Sequence, residues 1–340
     1  MTAVRALPLS LLCCSCASGC VSYYDPCFVP QSIVSDLRIL AVRADPPEVV
    51  FEPGGAIPPV QVRALVASRE GRPAARLQGS LCAPNPDGSC AGPSVEAGGA
   101  SGVRGDISFT VVATPALLAQ ATSSDPLRGY GGIRLQLTLT ATGDGSTATA
   151  QKLLLYSPAR PGYTPNHGLE VSSVDLTYQG KLVSNSATVS AFDLRVGESY
   201  GLRPLLAPGD GALDAAEEYD VADLSGKLVH LREHITYSFY TTPHLIYGNV
   251  RTLAGNVVGT YVADEDTASE PEPGAAVPAN GLVHLTPLRE TNGTVYVVAR
   301  DGRGAVAWRA TEFSAPDRRC CSGGCPPYGK GCAFLEFNCH

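Results

Sequence analysis

Apolar and polar residues alternate along much of this chain, and the alternation predicts short β-strands. The pattern is clearest over residues 133–142, where every second residue is aliphatic or small and the others are polar. A strand of this kind has one buried face and one solvated face. Asp144-Gly145 follows, and because this pair tolerates the positive φ angles of a tight turn, residues 147–156 are predicted to return antiparallel.

The same pattern predicts strands in both halves of the chain. In the first half we expect a strand at 37–41, with Leu37, Ile39 and Ala41 on one face, and further strands at 49–51, 60–66, 76–82 and 107–111. In the second half the candidate strands are 171–178, 187–192, 200–206, 234–241, 281–286, 294–300 and 305–311. A short helix is predicted at 116–121, behind Pro115. Residues 84–106, rich in Gly, Ser, Pro and Asp, are predicted to form a long loop.

Three prolines within residues 158–165 interrupt the alternation and predict a domain boundary. We therefore expect two domains, at 35–160 and 161–312, each with about seven short strands. Many short strands with few helical periods indicate an all-β chain, built as two tandem Ig-like antiparallel β-sandwiches.

A family resemblance points to the same fold. The segments DLRILAVRADPPEV (36–49) and RDGRGAVAWR (300–309) are similar to segments of surface lipoproteins of the myxobacterial type. The paired halves resemble bacterial Ig-like domains of the cadherin and PKD kind, which implies a sandwich in each half over residues 36–312. Neither half has the inter-sheet Cys pair or the central-strand Trp of antibody domains. Tyr237 and Phe239 are therefore expected to fill that core position, with Trp308 on a late strand.

The stretch LPLSLLCCSCASGC at residues 7–20 indicates export. Its apolar run behind Arg5 is too short to span a membrane but has the length of a signal sequence. It ends in Ala17-Ser18-Gly19-Cys20, which resembles the bacterial lipobox. The resemblance implies that residues 1–19 are a signal peptide, that Cys20 is lipidated, and that 20–34 form an acylated tether. Because Val21 rather than Asp follows Cys20, it also implies an outer-membrane anchor, with the body facing the periplasm or the cell surface. An ordinary secretory signal is the alternative.

The cysteine count favours an oxidising compartment. Of 12 Cys, eight remain once the signal is removed and Cys20 is acylated, which allows up to four disulfides. Cys82 and Cys90 bracket a turn-rich loop and are predicted to pair first. The other disulfide candidates are Cys27, Cys320, Cys321, Cys325, Cys332 and Cys339. The last five form a Cys-rich disulfide tail at 313–340, and Cys27 is the partner left for one of them.

The remaining residues point away from catalysis and metal binding. A net charge of −7 without any Lys/Arg cluster excludes nucleic acid as a partner. The C-terminal cysteines lack the Cys-x-x-Cys spacing of a zinc knuckle, and His230 and His234 lack the residue order of a zincin helix. The acidic stretches 210–218 and 264–273 lack the EF-hand spacing. With no nucleophile elbow and no phosphate loop in the sequence, no metal, cofactor or catalytic residue is predicted.

These patterns predict a lipid-anchored cell-envelope protein that acts as a non-enzymatic binding, adhesion or spacer module. Its expected partners are the membrane, through the N-terminal lipid anchor, and an envelope protein or polysaccharide. The alternative is a carbohydrate- or calcium-binding accessory module of an exported enzyme system. The acidic stretches and tyrosines such as Tyr23, Tyr24 and Tyr240 favour that alternative.

Overall fold

Strands joined by tight turns make up most of the regular structure. The structure is a computed structural model that describes residues 32–161, 163–195, 198, 200–209, 215–222, 227–242, 251–252, 260–262, 283–285 and 291–316. The elements of the first half are β1 (Arg38–Asp45), β2 (Glu48–Phe51), β3 (Val60–Ala67), β4 (Ala75–Cys82), β5 (Val95–Gly102), β6 (Asp106–Val111), α1 (Pro115–Ser124), β7 (Ile133–Gly143) and β8 (Ser146–Pro158).

The described strands of the second half are β9 (Leu169–Tyr178), β10 (Lys181–Asn185), β11 (Ala191–Asp193), β12 (Tyr200–Pro208), β13 (Glu218–Ala222), β14 (Leu228–Arg232), β15 (Thr236–Thr241), β16 (Arg251–Thr252), β17 (Thr260–Val262), β18 (Val283–Leu285), β19 (Thr291–Arg300) and β20 (Val306–Ala315). Within the described residues, no helix is both long enough and apolar enough to cross a membrane.

Strands β1 to β8 form two sheets that enclose one core. The smaller sheet has the order β1-β3-β6 and the larger one β2-β8-β7-β4-β5. Their pairings are antiparallel except that β2 runs parallel to β8. The predicted hairpin between β7 and β8 is confirmed, with positive φ angles of 50° at Asp144 and 72° at Gly145.

The second half repeats this topology with extra strands. Its sheets have the orders β10-β9-β12-β18-β16 and β11-β20-β19-β15-β17, and β13 pairs with β14 as a separate hairpin. The series β9, β11, β12, β15, β17, β18, β19, β20 corresponds in chain order and in pairing to β1 through β8. The short β11 even runs parallel to the last strand, as β2 does. In each half one sheet packs against a second sheet that contains the final hairpin, which is an Ig-like arrangement, so the two tandem sandwiches predicted from the sequence are confirmed.

Each sandwich has its own apolar core, supplied by the inward residues of the alternating strands. In the first, β7 contributes Leu135, Leu137 and Leu139, all 0% exposed, and α1 adds Leu117 and Leu118. The predicted helix is confirmed, with Thr114 Oγ1 accepting from Leu117 N at its start. The second core includes Tyr237 and Phe239, as the sequence predicts.

A third apolar cluster joins the two sandwiches. The outer face of β1 and β3 provides Leu40, Ala41, Leu65 and Ala67, and the outer face of β19 and β20 provides Tyr296, Val298 and Val306. Residues 295–299 of β19 are consequently all buried, because each of its faces meets an apolar partner. The sandwiches therefore pack sheet against sheet.

The entering chain also ties the two sandwiches together. Thr241 at the end of β15 donates its N–H to Ser32 O at 2.9 Å and accepts from Val34 N at 2.8 Å. Ile33 forms a parallel bridge with Thr241. The segment thus adds to the second sandwich just before the chain begins β1 of the first.

Two sequence predictions in the first half are wrong. Residues 84–106 are not one long loop, because β5 lies within them as an edge strand paired with β4. Its composition hid it: β5 has no residue classed as buried and is held by backbone hydrogen bonds, so no apolar alternation is required. Leu37, Ile39 and Ala41 do not share a face either. A bulge between Ile39 and Ala41 turns Ala41 to the inter-sandwich cluster, whereas Leu37 stays in the first core.

In the second half, the strand expected at 187–192 is displaced. Residues 186–188 form a turn, and β11 begins only at Ala191. Strands β10, β13 and β14 were not predicted. Their side chains are mostly exposed, which leaves no one-sided apolar pattern to detect.

Candidate functional site

The predicted Cys82–Cys90 disulfide is present in the structure. It closes the turn-rich loop at the end of β4. Within this loop Asn85 N donates to Ser89 O at 2.7 Å, and Asp87 accepts from Ser89 N at 2.9 Å. The loop is linked to the end of α1 by Ser124 Oγ, which donates to Pro84 O at 3.3 Å. The disulfide loop therefore has a defined shape against the helix.

Most other predicted site residues lie outside the described residues. These are Cys20, Cys27, Cys320, Cys321, Cys325, Cys332 and Cys339, together with Asp210, Asp214 and the acidic stretch 264–273. Their lipidation and disulfide roles stay predictions. Among the residues that the structure does describe, no group of three or more His, Cys, Asp or Glu side chains could hold a metal ion.

His230 is a strand residue with acidic neighbours. It lies on β14, and its side chain is 64% exposed. Its Nδ1 is 3.0 Å from Asp220 Oδ1 and its Nε2 is 3.3 Å from Glu218 Oε2. These carboxylates, Asp220 first, raise the pKa of His230. A zincin site needs its two histidines on one helix, and this strand geometry does not provide one.

An open cavity of about 530 Å³ lies on the outer face of the first sandwich. We call it the outer-face cavity. Its walls are the disulfide loop, the segment from the end of α1 to Leu127, and the outward side of β7 and β8. Pro84, Pro86, Leu127 and Leu153 supply apolar surface, and the last two are about half exposed. The volume is within the range of small-ligand sites.

Gln136 is one of the polar residues that line this cavity. It sits on β7 between Cys82 of β4 and Leu153 of β8. Although only 5% exposed, its side-chain amide has no hydrogen-bond partner among the described residues. The amide atoms are not among the fully enclosed polar atoms of the described residues, so they reach the open cavity and are available to water or to a ligand.

The charged groups of the cavity leave a modest positive character. Asp125 is already engaged, because its Oδ1 accepts from Leu127 N at 3.0 Å and its Oδ2 from Gly129 N at 2.8 Å. Arg134 lines the cavity as an exposed guanidinium and forms no ion pair within the described residues. The site can thus offer amide and guanidinium hydrogen bonds beside an apolar wall.

A second polar cluster lies where the sandwiches meet, centred on Arg303 in the β19–β20 turn. We call it the junction network. The Arg303 guanidinium is 3.1 Å from Glu233 Oε1, 3.4 Å from Glu217 Oε2 and 3.7 Å from Glu48 Oε2. It also lies over the Tyr219 ring, 4.2 Å from the centroid. One cation therefore serves three carboxylates, and breaking a buried pair of this kind costs about 3–5 kcal/mol.

Glu48 connects this network to the first sandwich. Its side chain is 1% exposed and accepts hydrogen bonds from Ser157 Oγ, Tyr163 OH and, at 2.8 Å, Asn166 N. Asn166 Nδ2 in turn donates to Asp301 Oδ2 at 2.9 Å. The residues between the sandwiches are thus fixed by hydrogen bonds to both.

Burial shifts the pKa of Glu233 in the junction network. Desolvation raises its pKa to about 7, and the neighbouring Asp301 and Glu217 add to the rise, while the backbone N–H of Glu217 and Arg303 oppose it. Because Glu217 and Glu233 lie 86 and 70 residues from Arg303 in the chain, and Glu48 lies further still, sequence reasoning missed the network. The only local signal is the Asp301-Gly-Arg303-Gly turn, which predicts a hairpin but does not reveal a polar centre.

No protein-family model and no curated protein matches the chain. Solved structures that resemble it include fibronectin(III)-like modules of CbhA from Clostridium thermocellum, with 12% identity over 82% of this chain and 96% of that one and a TM-score of 0.22. A chimeric titin Z1Z2 tandem has 10% identity over 84% and 97%, with a TM-score of 0.19. Red sea bream transglutaminase has 10% identity over 82% and 31%, with a TM-score of 0.23. Similarities this low assign no function to the chain.

Proposed function

We propose that the protein is a lipid-anchored cell-envelope protein that acts as a non-enzymatic binding module. The observation that carries the proposal is the outer-face cavity, in which the Gln136 amide makes no hydrogen bond to a described residue and reaches the open space. The lipobox-like sequence ending at Cys20 supports the anchored location. Two Ig-like sandwiches fit a binding or spacer role.

Binding is favoured over spacing by the way the sandwiches pack. A spacer gains length when its domains join end to end, whereas here the β1–β3 face covers the β19–β20 face. Face-to-face packing makes the pair of sandwiches shorter than an end-to-end pair and fixes the orientation of one sandwich relative to the other. It suits a body that presents a preformed surface.

The chemistry of the outer-face cavity favours a saccharide ligand. The cavity lies on the face of a sheet, so a peptide cannot add to it as an extra strand. Its described lining contains no aromatic ring, which a proline-rich peptide would require. The amides of Gln136 and Gln151 offer adjacent donors and acceptors for sugar hydroxyls, and Leu127 and Leu153 offer apolar contact for a ring face. An envelope polysaccharide is therefore the proposed partner.

Retention on the polysaccharide fraction of the envelope tests the binding role. We expect the full chain to be retained and the Gln136→Leu variant to lose most of its retention. The matched control is Gln78→Leu, which changes an exposed glutamine of the same sheet, paired with Thr140 about 13 Å further along β7. Equal retention of the two variants would reject the outer-face cavity as the binding site.

Intact mass and detergent partitioning test the anchor separately. The membrane-extracted protein should lack residues 1–19 and carry a diacylglycerol on Cys20, and Cys20→Ser should move it to the aqueous phase. A Cys20→Ser protein that still partitions into detergent micelles would contradict lipid anchoring without affecting the saccharide site.

A further inference from the structure

A second cavity, of about 370 Å³, lies between the two sandwiches. We call it the junction cleft. Its walls are residues 39–42 of β1, residues 150–152 of β8, and residues 300–306 around the β19–β20 turn, without Arg303. Much of this lining is aliphatic, and it shares only Gln151 and Lys152 with the outer-face cavity.

Lys152 brings a poorly solvated cation to the cleft from the first sandwich. Its Nζ donates to Gly304 O at 2.5 Å and has no carboxylate partner within ion-pair distance among the described residues. Burial lowers the pKa of Lys152 to about 8; Arg300 lowers it further, and Asp301 partly restores it. A desolvated ammonium group without a carboxylate partner is stabilised by any anion that reaches it.

Arg300 brings a second cation from the other sandwich. Its Nη1 donates to Ser238 Oγ at 2.9 Å and its Nη2 to Leu40 O at 3.3 Å. No described carboxylate pairs with it. Since a guanidinium carries five N–H donors, these two bonds leave donors for a ligand.

The nearby carboxylate does not satisfy either cation. Asp301 is buried, and its Oδ1 accepts from Arg303 N at 2.9 Å and Gly304 N at 2.8 Å. Its Oδ2 accepts from Asn166 Nδ2 at 2.9 Å. The cleft thus contains two cations from different sandwiches and one anion that is committed to other donors.

We propose that the junction cleft binds a compact oxyanion, a carboxylate, sulfate or phosphate group on a small and partly apolar body, between Lys152 and Arg300. The group completes the hydrogen bonding of both cations, and the aliphatic walls contact the rest of the ligand. Because each sandwich contributes one cation, the bound ligand stabilises the pair of sandwiches against separation. The junction cleft shares Gln151 and Lys152 with the proposed saccharide cavity, but Arg300 lines only the cleft and Gln136 only the outer-face cavity. Arg300→Gln and Gln136→Leu therefore distinguish failure of one site from failure of the other.

Thermal unfolding and calorimetric titration of the full chain test the site. The probes are inorganic sulfate, inorganic phosphate, glucuronate and glucose, each at the same ionic strength set with sodium chloride. Glucose is the matched neutral control for glucuronate. We expect at least one of the three anions to raise the unfolding temperature and glucose to leave it unchanged. A response to glucuronate alone identifies a sugar acid, and a response to all three anions identifies a general oxyanion site.

Three variants assign the response to the cleft. Lys152→Met and Arg300→Gln should each weaken anion binding by about tenfold or more, because each removes one of the two cations while Arg300→Gln keeps a polar side chain at its position. Lys181→Met, which removes an exposed lysine on β10, should bind like the wild type. The proposal is overturned if no anion acts beyond the chloride control, or if Lys152→Met responds as Lys181→Met does.

The pH dependence gives an independent readout. Lys152 faces Asp301, Arg300 and Gly304 O from the second sandwich and the aliphatic residues of β1. Binding should weaken from pH 7 to pH 9, as the Lys152 ammonium loses its proton, and the weakening should be absent in Lys152→Met. A wild-type affinity that is constant over this range would count against Lys152 as the ligand.

Discussion

At the scale of single residues, Glu233 couples the junction network to pH. Its ordinary pKa of 4.5 is raised to about 7 in the folded protein. Between these two values the unfolded chain has released the proton while the folded chain still holds it. The folded state therefore binds more protons in this window, and stability falls as the pH rises.

The expected result is a free energy of unfolding that decreases from pH 4.5 to pH 7 by up to about 3 kcal/mol through this group. Glu233→Gln is uncharged at every pH and should lack this part of the decrease, so its stability relative to the wild type should rise across the window. Denaturant titrations at several pH values measure the difference. Arg303, Glu217 and Asp301 face Glu233 in both proteins.

Glu96→Gln is the control, because Glu96 is an exposed carboxyl group on β5. Its pH profile should follow that of the wild type. A Glu233→Gln profile parallel to the Glu96→Gln profile would show that Glu233 does not titrate in this window.

At the scale of elements, the success of sequence prediction depended on whether a strand buries one face. Strands β3, β6 and β7 alternate and were predicted to within a few residues, and the Asp144-Gly145 turn and α1 carry their own local signals. Strand β5 shows no alternation of apolar and polar residues, because it is an edge strand composed largely of small residues. The outer-face cavity was equally invisible, since Gln136 occupies an ordinary polar position of β7 and only the fold places the disulfide loop over it.

The glycines of β5 have a steric role that explains its composition. A Cβ at Gly99 would lie 2.4 Å from the Leu77 carbonyl oxygen of β4, closer than any real contact. Gly99→Ala should therefore push β5 from β4 and lower the free energy of unfolding by about 1–3 kcal/mol. Chemical denaturation measures the change.

Gly92→Ala is the matched control for this prediction. A Cβ at Gly92 would meet Gln120 Nε2, the end of a side chain that can rotate away, instead of backbone. Gly92→Ala should lower the free energy of unfolding by clearly less than Gly99→Ala does. Equal costs for the two variants would contradict the backbone clash as the cause.

At the scale of the whole molecule, the sequence predicted two tandem sandwiches but did not predict that both halves share one strand order. The alternation of residues along a strand shows how many of its faces are buried, but it does not show which other element covers each face. The sheet-to-sheet packing of the sandwiches could therefore not be derived from the sequence. Residues 295–299 show the difficulty: every one is buried, but Tyr296 and Val298 belong to the contact with β1 and β3 and not to their own core. The junction network and the junction cleft arise from the same packing.

Tyr296 tests whether this packing makes the two sandwiches one cooperative unit. It is 0% exposed in the inter-sandwich cluster, outside both cores. Since the cluster joins them, the wild type should unfold in one calorimetric transition whose calorimetric and van't Hoff enthalpies agree. Tyr296→Ala removes the largest fully buried side chain of the contact at a cost of about 3–5 kcal/mol and should separate the unfolding into two transitions. Leu77→Ala, a cavity within the first core, should lower the unfolding temperature and leave one transition. A single transition in Tyr296→Ala with an enthalpy ratio of one would show that the junction network couples the sandwiches without the apolar contact.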